Sequence, residues 1–175
     1  TLTPLAALLR SDADSSQRAF SIMMGAEFYQ TWGELLYSVQ SGSPGFNKRY
    51  GMPFFQYMLE HSERHALYDE AMNGVHGAET EPMLDAYDFS AFRTVVDVGG
   101  GNGQALCTLL NRHPAIQGTL FDLPGVAERA RQFILHSPAA PRCEIRKGDF
   151  FAAVPAGADA YVLRHVIHDW QDEQA

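Results

Sequence analysis

The sequence predicts an α/β chain in which a helical first half precedes an open parallel sheet. Three observations carry this. Apolar, strand-like runs recur at residues 94–98, 118–122, 142–147 and 160–167, with helical segments between them. The first run enters a glycine-rich turn, Gly99-Gly100-Gly101-Asn102-Gly103, that opens a helix. Upstream of residue 90 there is no strand pattern, and apolar residues return at helical spacing. The expected division is a helical region over 1–90 and a ligand-binding sheet region over 91–175.

Composition sets the class. With 175 residues, 46% of them apolar, one domain plus a helical appendage is the natural organisation. A formal charge of −8 argues against nucleic acid or an anionic membrane surface as partner. No run approaches the roughly eighteen apolar residues of a membrane-spanning helix. No signal peptide is visible. Cys107 and Cys143 read as buried free thiols, and the expected compartment is the cytoplasm.

In chain order, residues 5–9 form a short apolar segment. Residues 11–16 hold several candidate helix caps, Asp14 and Ser15 among them. A long helix is expected to run to about residue 40, with Phe20, Met23, Met24, Phe28, Trp32, Leu35 and Leu36 forming a core face. Ser41-Gly42-Ser43-Pro44-Gly45 breaks it. Helices are expected over 54–60 and 62–87, the latter bent near Pro82, and residues 88–92 link to the first strand.

The glycine turn is half of a nucleotide-type binding site. Gly99 and Gly101 let backbone approach a ligand, and Asp122, ending the second strand, is placed to hold ribose hydroxyls. Two details argue against NAD. The dinucleotide fingerprint G-x-G-x-x-G, started at Gly99, ends on Gln104; the spacing here is G-x-G-x-G. Asp97, inside the strand, would repel a pyrophosphate and attract an ammonium group. A ligand with a ribose at one end and an amino acid at the other satisfies both acids, and S-adenosylmethionine is that ligand.

Further along, Cys143-Glu144-Ile145-Arg146-Lys147-Gly148-Asp149-Phe150-Phe151 is a strand ending in an acid and two aromatics. The acid can accept from an adenine amino group, and an aromatic face can stack on the ring. His168-Asp169-Trp170 follows the last apolar run, at the end of an open sheet where ligands bind.

Val96-Asp97-Val98-Gly99-Gly100-Gly101-Asn102-Gly103, Phe121-Asp122-Leu123-Pro124, Gly148-Asp149-Phe150-Phe151 and His168-Asp169-Trp170 with Asp172-Glu173, in this order, resemble the caffeic-acid-type O-methyltransferases of plants and bacterial secondary metabolism. Pro44-Gly45-Phe46-Asn47-Lys48-Arg49-Tyr50-Gly51 resembles a helical segment of the same family. The resemblance implies a class I, Rossmann-like methyltransferase sheet preceded by a helical region for dimerisation and for the lid over the acceptor. It implies S-adenosylmethionine as cofactor, a small hydroxyl-bearing aromatic as substrate and a homodimer. It further implies that Gly99 and its neighbours touch the methionine part, Asp122 the ribose, and Asp149 and Phe150 the adenine. Arg164 stands where the family often has a lysine that touches the cofactor, though a guanidinium fork is not equivalent to an ammonium. His168 matches the catalytic base, and Tyr68 and Met72 match positions that contact the acceptor. For those two, ordinary helix packing is the competing reading. The family's next pocket position, a histidine, aligns with Val75, with His76 adjacent.

A histidine suits the reaction. A phenol becomes a good nucleophile on losing its proton, and an ordinary imidazole accepts protons near neutrality. Asp169 either caps a helix starting at Trp170, the preferred reading, or tunes His168. His165 reads as a packing or strand-face residue. A metal role for the two histidines lacks further ligands at metal-site spacing, so no metal is expected. Transfer to nitrogen or carbon on the same fold, a relative that keeps the cofactor without transferring a methyl group, and a non-catalytic interaction module with a degenerate cofactor site are the alternatives. Four strands of an expected seven, and no initiator Met, read as an internal fragment of a protein about twice as long, with its sheet truncated after the fourth strand.

Overall fold

The computed structural model describes residues 1–13 and 16–174, so the expected caps Asp14 and Ser15 lie outside the described residues. It contains two compact units, Thr1–Ala78 and Glu79–Ala175.

The first unit is helical: α1 (Pro4–Ala7), α2 (Arg18–Met23), a π turn at Met24–Phe28, α3 (Tyr29–Trp32), α4 (Leu35–Ser41), α5 (Gly45–Tyr50), α6 (Phe54–Glu60) and α7 (Ser62–His76). The small residues Ala19 and Ala71 let α2 and α7 approach, and Met23, Phe20, Phe28, Leu67, Tyr68 and Met72 close around them. The expected single long helix is interrupted twice, by the π turn and by a turn at residues 33–34. A π turn inserts a residue into the helical repeat and shifts the phase of every side chain beyond it. The expected core face therefore holds for Met23, which is buried, and fails for Trp32, Leu35 and Leu36, which are 60%, 50% and 68% exposed. The π turn also carries Glu27 inward to an ion pair with Arg64.

Helix α7 ends at His76, a 3₁₀ turn spans Gly77–Glu79, and α8 (Thr80–Ala86) begins the second unit's helices. The break thus falls at Gly77 and not near Pro82. Pro82 occupies the first turn of α8, where no intrahelical N–H is required of it.

The second unit is a four-stranded parallel sheet in the order β3-β2-β1-β4, with β1 (Thr94–Val98), β2 (Gln117–Asp122), β3 (Cys143–Lys147) and β4 (Ala160–Val162). β1 is flanked on both sides, and its Val95, Val96 and Val98 are buried, as a central parallel strand requires. Helices α9 (Gln104–Arg112) and α10 (Pro124–Ile134) supply the crossovers. They pack Leu106, Leu109, Leu110, Ala130 and Ile134 with Val95 and Leu120 into the main core. Gly118 makes room for this: a Cβ there would lie 2.9 Å from both Leu106 Cδ1 and Leu110 Cδ1. Val96, Val98 and Phe121 form a smaller cluster with Phe150 and Ala158. Asp159 Oδ2 accepts from the backbone N–H of Arg93 and Thr94 at 2.8 and 2.9 Å, tying the start of β4 to the start of β1.

β4 stops at Val162, short of the expected residue 167. Its partner β1 ends at Val98 and turns away at Gly99 (φ 68°), and His165 (φ 54°) cannot continue an extended chain. The chain builds β1, β2 and β3 in one direction and then returns to the other side of β1. That reversal is the switch point beside which open α/β sheets bind ligands. The glycine turn after β1 and the His168 segment after β4 both stand at it.

Leu120, fully buried at the centre of β2, reports on this core. Leu120→Ala is expected to destabilise the protein by about 2–5 kcal/mol, read as a lowered urea midpoint at unchanged slope. A loss below about 1 kcal/mol would contradict the packing described.

Candidate functional site

The site is built from the carboxyl ends of the strands. β1 delivers Asp97 with its side chain 4% exposed. Its Oδ2 is buried and has no hydrogen-bond partner among the described residues. Burial, followed by the neighbouring Asp122 charge, pushes its pKa up to about 7, with the Arg164 charge acting in the opposite direction. An acid left in this condition invites a cation.

The glycines above it divide into two kinds. A Cβ at Gly99 would come 2.9 Å from Val166 Cγ2, and one at Gly100 would come 2.5 Å from Leu120 Cδ1 and 2.7 Å from Asp97 Oδ2. Those two are packing glycines. At Gly101 (φ 59°) a Cβ would meet nothing within 4 Å, so this backbone faces open space. Its N–H donates to Asp122 Oδ2 at 2.9 Å, and Leu123 N–H donates to Asp122 Oδ1 at 2.7 Å. The Asp122 carboxylate is thereby oriented against the turn while it remains half-buried.

After β3, Asp149 is exposed, and its Oδ1 accepts from Phe151 N–H at 2.9 Å. Phe150 packs on the Val96, Val98 and Phe121 cluster. Trp170 stands edge-on to Phe151 at 4.6 Å and to Phe150 at 5.9 Å between ring centroids. Sequence reasoning assigned Trp170 no role of its own; two aromatics after one strand and one after the next were the available signal.

His168 lies in a 3₁₀ turn, Ile167–Asp169, with its side chain 61% exposed and Nε2 3.3 Å from Asp169 Oδ1. Among the described residues no helix begins at Trp170, and Asp169 stands beside the histidine. Burial raises the Asp169 pKa, with His168 and His165 pulling it back. His165 is not on the strand: it lies beyond β4, and its Nε2 is 2.7 Å from Glu79 Oε2. Arg164 donates to Thr80 Oγ1 at 2.7 Å and to Glu79 Oε2 at 3.2 Å. Neither Glu79 nor Thr80 was visible as a site residue in the sequence. In the helical unit, Tyr68 and Met72 share one face of α7 and are half-buried against the Ala19, Met23 and Ala71 cluster. The Tyr68 ring stands 5.3 Å from that of Phe54.

Asp97, the open backbone at Gly101, and Asp122 thus form a cradle suited to a ligand bearing a cation and hydroxyl groups. The family model described as an O-methyltransferase domain matches residues 32–175. A phenazine O-methyltransferase, PhzM, from Lysobacter antibioticus is 41% identical over 99% of this chain and 51% of its own length. An 8-amino-8-demethylriboflavin N,N-dimethyltransferase from Streptomyces davaonensis is 36% identical over 99% of this chain and 51% of its own. The chain therefore spans about half the length of the curated relatives it matches. Among solved structures, LaPhzM superposes with a TM-score of 0.94 at 41% identity, covering 99% of this chain and 52% of the other. The neocarzinostatin-biosynthesis O-methyltransferase NcsB1, solved with S-adenosylmethionine and 2-hydroxy-5-methyl naphthoic acid, superposes with a TM-score of 0.87 at 33% identity, covering 98% of this chain and 54% of the other. With the family model spanning most of its length and its fold shared at this level, the chain belongs to the S-adenosylmethionine-dependent O-methyltransferase family.

Proposed function

We propose that the protein transfers a methyl group from S-adenosylmethionine to a hydroxyl of a small aromatic acceptor, with His168 as general base. The observation that carries this is the buried, unpartnered Asp97 Oδ2 beneath an open glycine backbone, one strand away from Asp122. These residues fit the cofactor: Asp97 receives its ammonium, Gly99 and Gly101 border its methionine part, and Asp122 receives its ribose. Asp149 and Phe150 hold the adenine edge and face, and Arg164 adds positive charge near Asp97. When bound, the cofactor supplies an electrophilic methyl group on a sulfonium.

The protein's own residues do the rest. His168 accepts the hydroxyl proton, and the positive charge it gains is stabilised by the Asp169 carboxylate 3.3 Å away. Tyr68 and Met72 grip the flat acceptor, the methionine through its polarizable sulfur. Holding the two reactants in line supplies most of the rate. Among the described residues no helix is long and apolar enough to cross a membrane, and both cysteines are free thiols. We read the protein as cytoplasmic on that basis. The exposed Tyr29, Trp32, Leu35, Leu36 and Val39 support a homodimer.

The N,N-dimethyltransferase relative favours one second reading, transfer to an aromatic amine. The two readings separate at His168, because a neutral amine needs no base to become nucleophilic. His168→Ala in the full-length gene product is expected to lower kcat by about 10²- to 10⁴-fold while leaving S-adenosylhomocysteine affinity unchanged. Undiminished turnover of a hydroxyl acceptor would sink the base assignment.

Asp97 yields a pH test. Its folded pKa lies above that of a free carboxylate, so its charge penalises the folded state increasingly as pH rises from about 4 towards 7. A bound ammonium relieves that penalty and selects the ionised form. Affinity for S-adenosylhomocysteine should therefore rise by about 25-fold between about pH 5.5 and 7.5, with proton release seen by calorimetry in buffers of different ionisation enthalpy. Asp97→Asn should weaken binding and flatten this dependence. A wild-type affinity flat across the window would remove Asp97 from the ammonium site.

A further inference from the structure

The segment carrying His168 is anchored to a residue 85 positions away in the sequence. Both neighbours of His165 are held. Arg164, its side chain 17% exposed, donates to Thr80 Oγ1 and Glu79 Oε2. Val166 is buried, with Cγ2 pressed towards Gly99. Between them His165 takes φ 54°, the only left-handed non-glycine residue among the described residues. A side chain with a Cβ disfavours that conformation, which persists where the surroundings over-determine it. Glu79 joins the two residues: the same Oε2 that accepts from Arg164 also stands 2.7 Å from His165 Nε2. The reversal at His165 turns the chain from β4 into the 3₁₀ turn of Ile167–Asp169 and brings the His165 ring to 5.6 Å from that of His168.

We infer that Glu79 is a positioning residue: by holding Arg164 and the left-handed His165 with one carboxylate, it sets the aim of His168 in methyl transfer. The inference rests on His168 being the base. Glu79 itself is about half exposed, and pairs this open to water contribute little to global stability. Its removal should be felt in the geometry of the turn and not in the survival of the fold. A misplacement of about 1 Å at a reacting group can cost about 100-fold in rate.

The test uses the full-length gene product with Glu79→Ala and Glu79→Gln. Glutamine keeps an acceptor oxygen at the same reach. Glu79→Ala should lower kcat about 10- to 100-fold, with acceptor KM and S-adenosylhomocysteine Kd within about threefold of wild type, and Glu79→Gln should recover most of the loss. The second readout is independent of turnover. Imidazole ¹H–¹⁵N correlation spectra, assigned with His168→Ala, should show the His168 signals displaced in Glu79→Ala and near wild type in Glu79→Gln. If the wild type binds cofactor but transfers no methyl group, the proposed activity fails by itself, and the His168 signals still decide the role of Glu79. Unchanged His168 signals or unchanged kcat in Glu79→Ala would overturn the inference. So would an equal loss of cooperative unfolding in both variants, which marks a structural role.

Discussion

The second unit is organised around a buried carboxylate, Asp97, whose Oδ2 has no hydrogen-bond partner among the described residues. Asp97 sits in the central strand with apolar neighbours on both sides in sequence and Leu120 opposite it in the pairing register. Replacing it with an apolar residue would be the cheaper solution for folding alone, since an unpaired buried charge is among the costliest features a core can hold. Its surroundings do not relieve it. Asp122 raises its pKa further, and Arg164 offsets only part of that. A fold that keeps such a group carries a cost that a bound cation would relieve. Strongly perturbed buried carboxylates of this kind cluster at binding sites.

The glycine turn shows the same division between scaffold and site at finer grain. Gly99 and Gly100 are required by Val166, Leu120 and the Asp97 carboxylate, which leave no room for a Cβ. Only Gly101 presents its backbone to open space, and it is also the residue whose N–H orients Asp122. The order β3-β2-β1-β4 then matters, because it sets the turn, the β2 acid and the segment after β4 at one end of the sheet without any of them being close in sequence.

How much of this the sequence disclosed follows the range of the interactions involved. β1 and β3 are marked by short apolar or alternating runs ended by glycine or an acid, and they were legible to within a residue. Helix α6 was legible as well, because Pro53 sets its start and the chain breaks after Glu60. Local signals failed where a local event changed phase. The π turn at Met24–Phe28 leaves no mark in composition, yet it redirects Trp32, Leu35 and Leu36 to the surface. Pro82 was read as a bend because proline breaks helices, whereas α7 had already given way to the 3₁₀ turn of Gly77–Glu79 and left Pro82 a harmless place in the first turn of α8. In the site, the acids at strand ends were legible because strand ends are. The Glu79 contacts to Arg164 and His165 were not, since no local pattern links residues so far apart.

The early end of β4 joins these strands of argument. Three residues of β4 pair with β1, enough to set the register of the edge. Had the strand continued to residue 167, alternation would have fixed the face that His165 points to. A left-handed residue followed by a 3₁₀ turn gathers His165, His168 and Asp169 on one side, where both histidines act on the Asp169 carboxylate. The left-handed conformation at His165 thus turns the chain from β4 into the segment that carries His168.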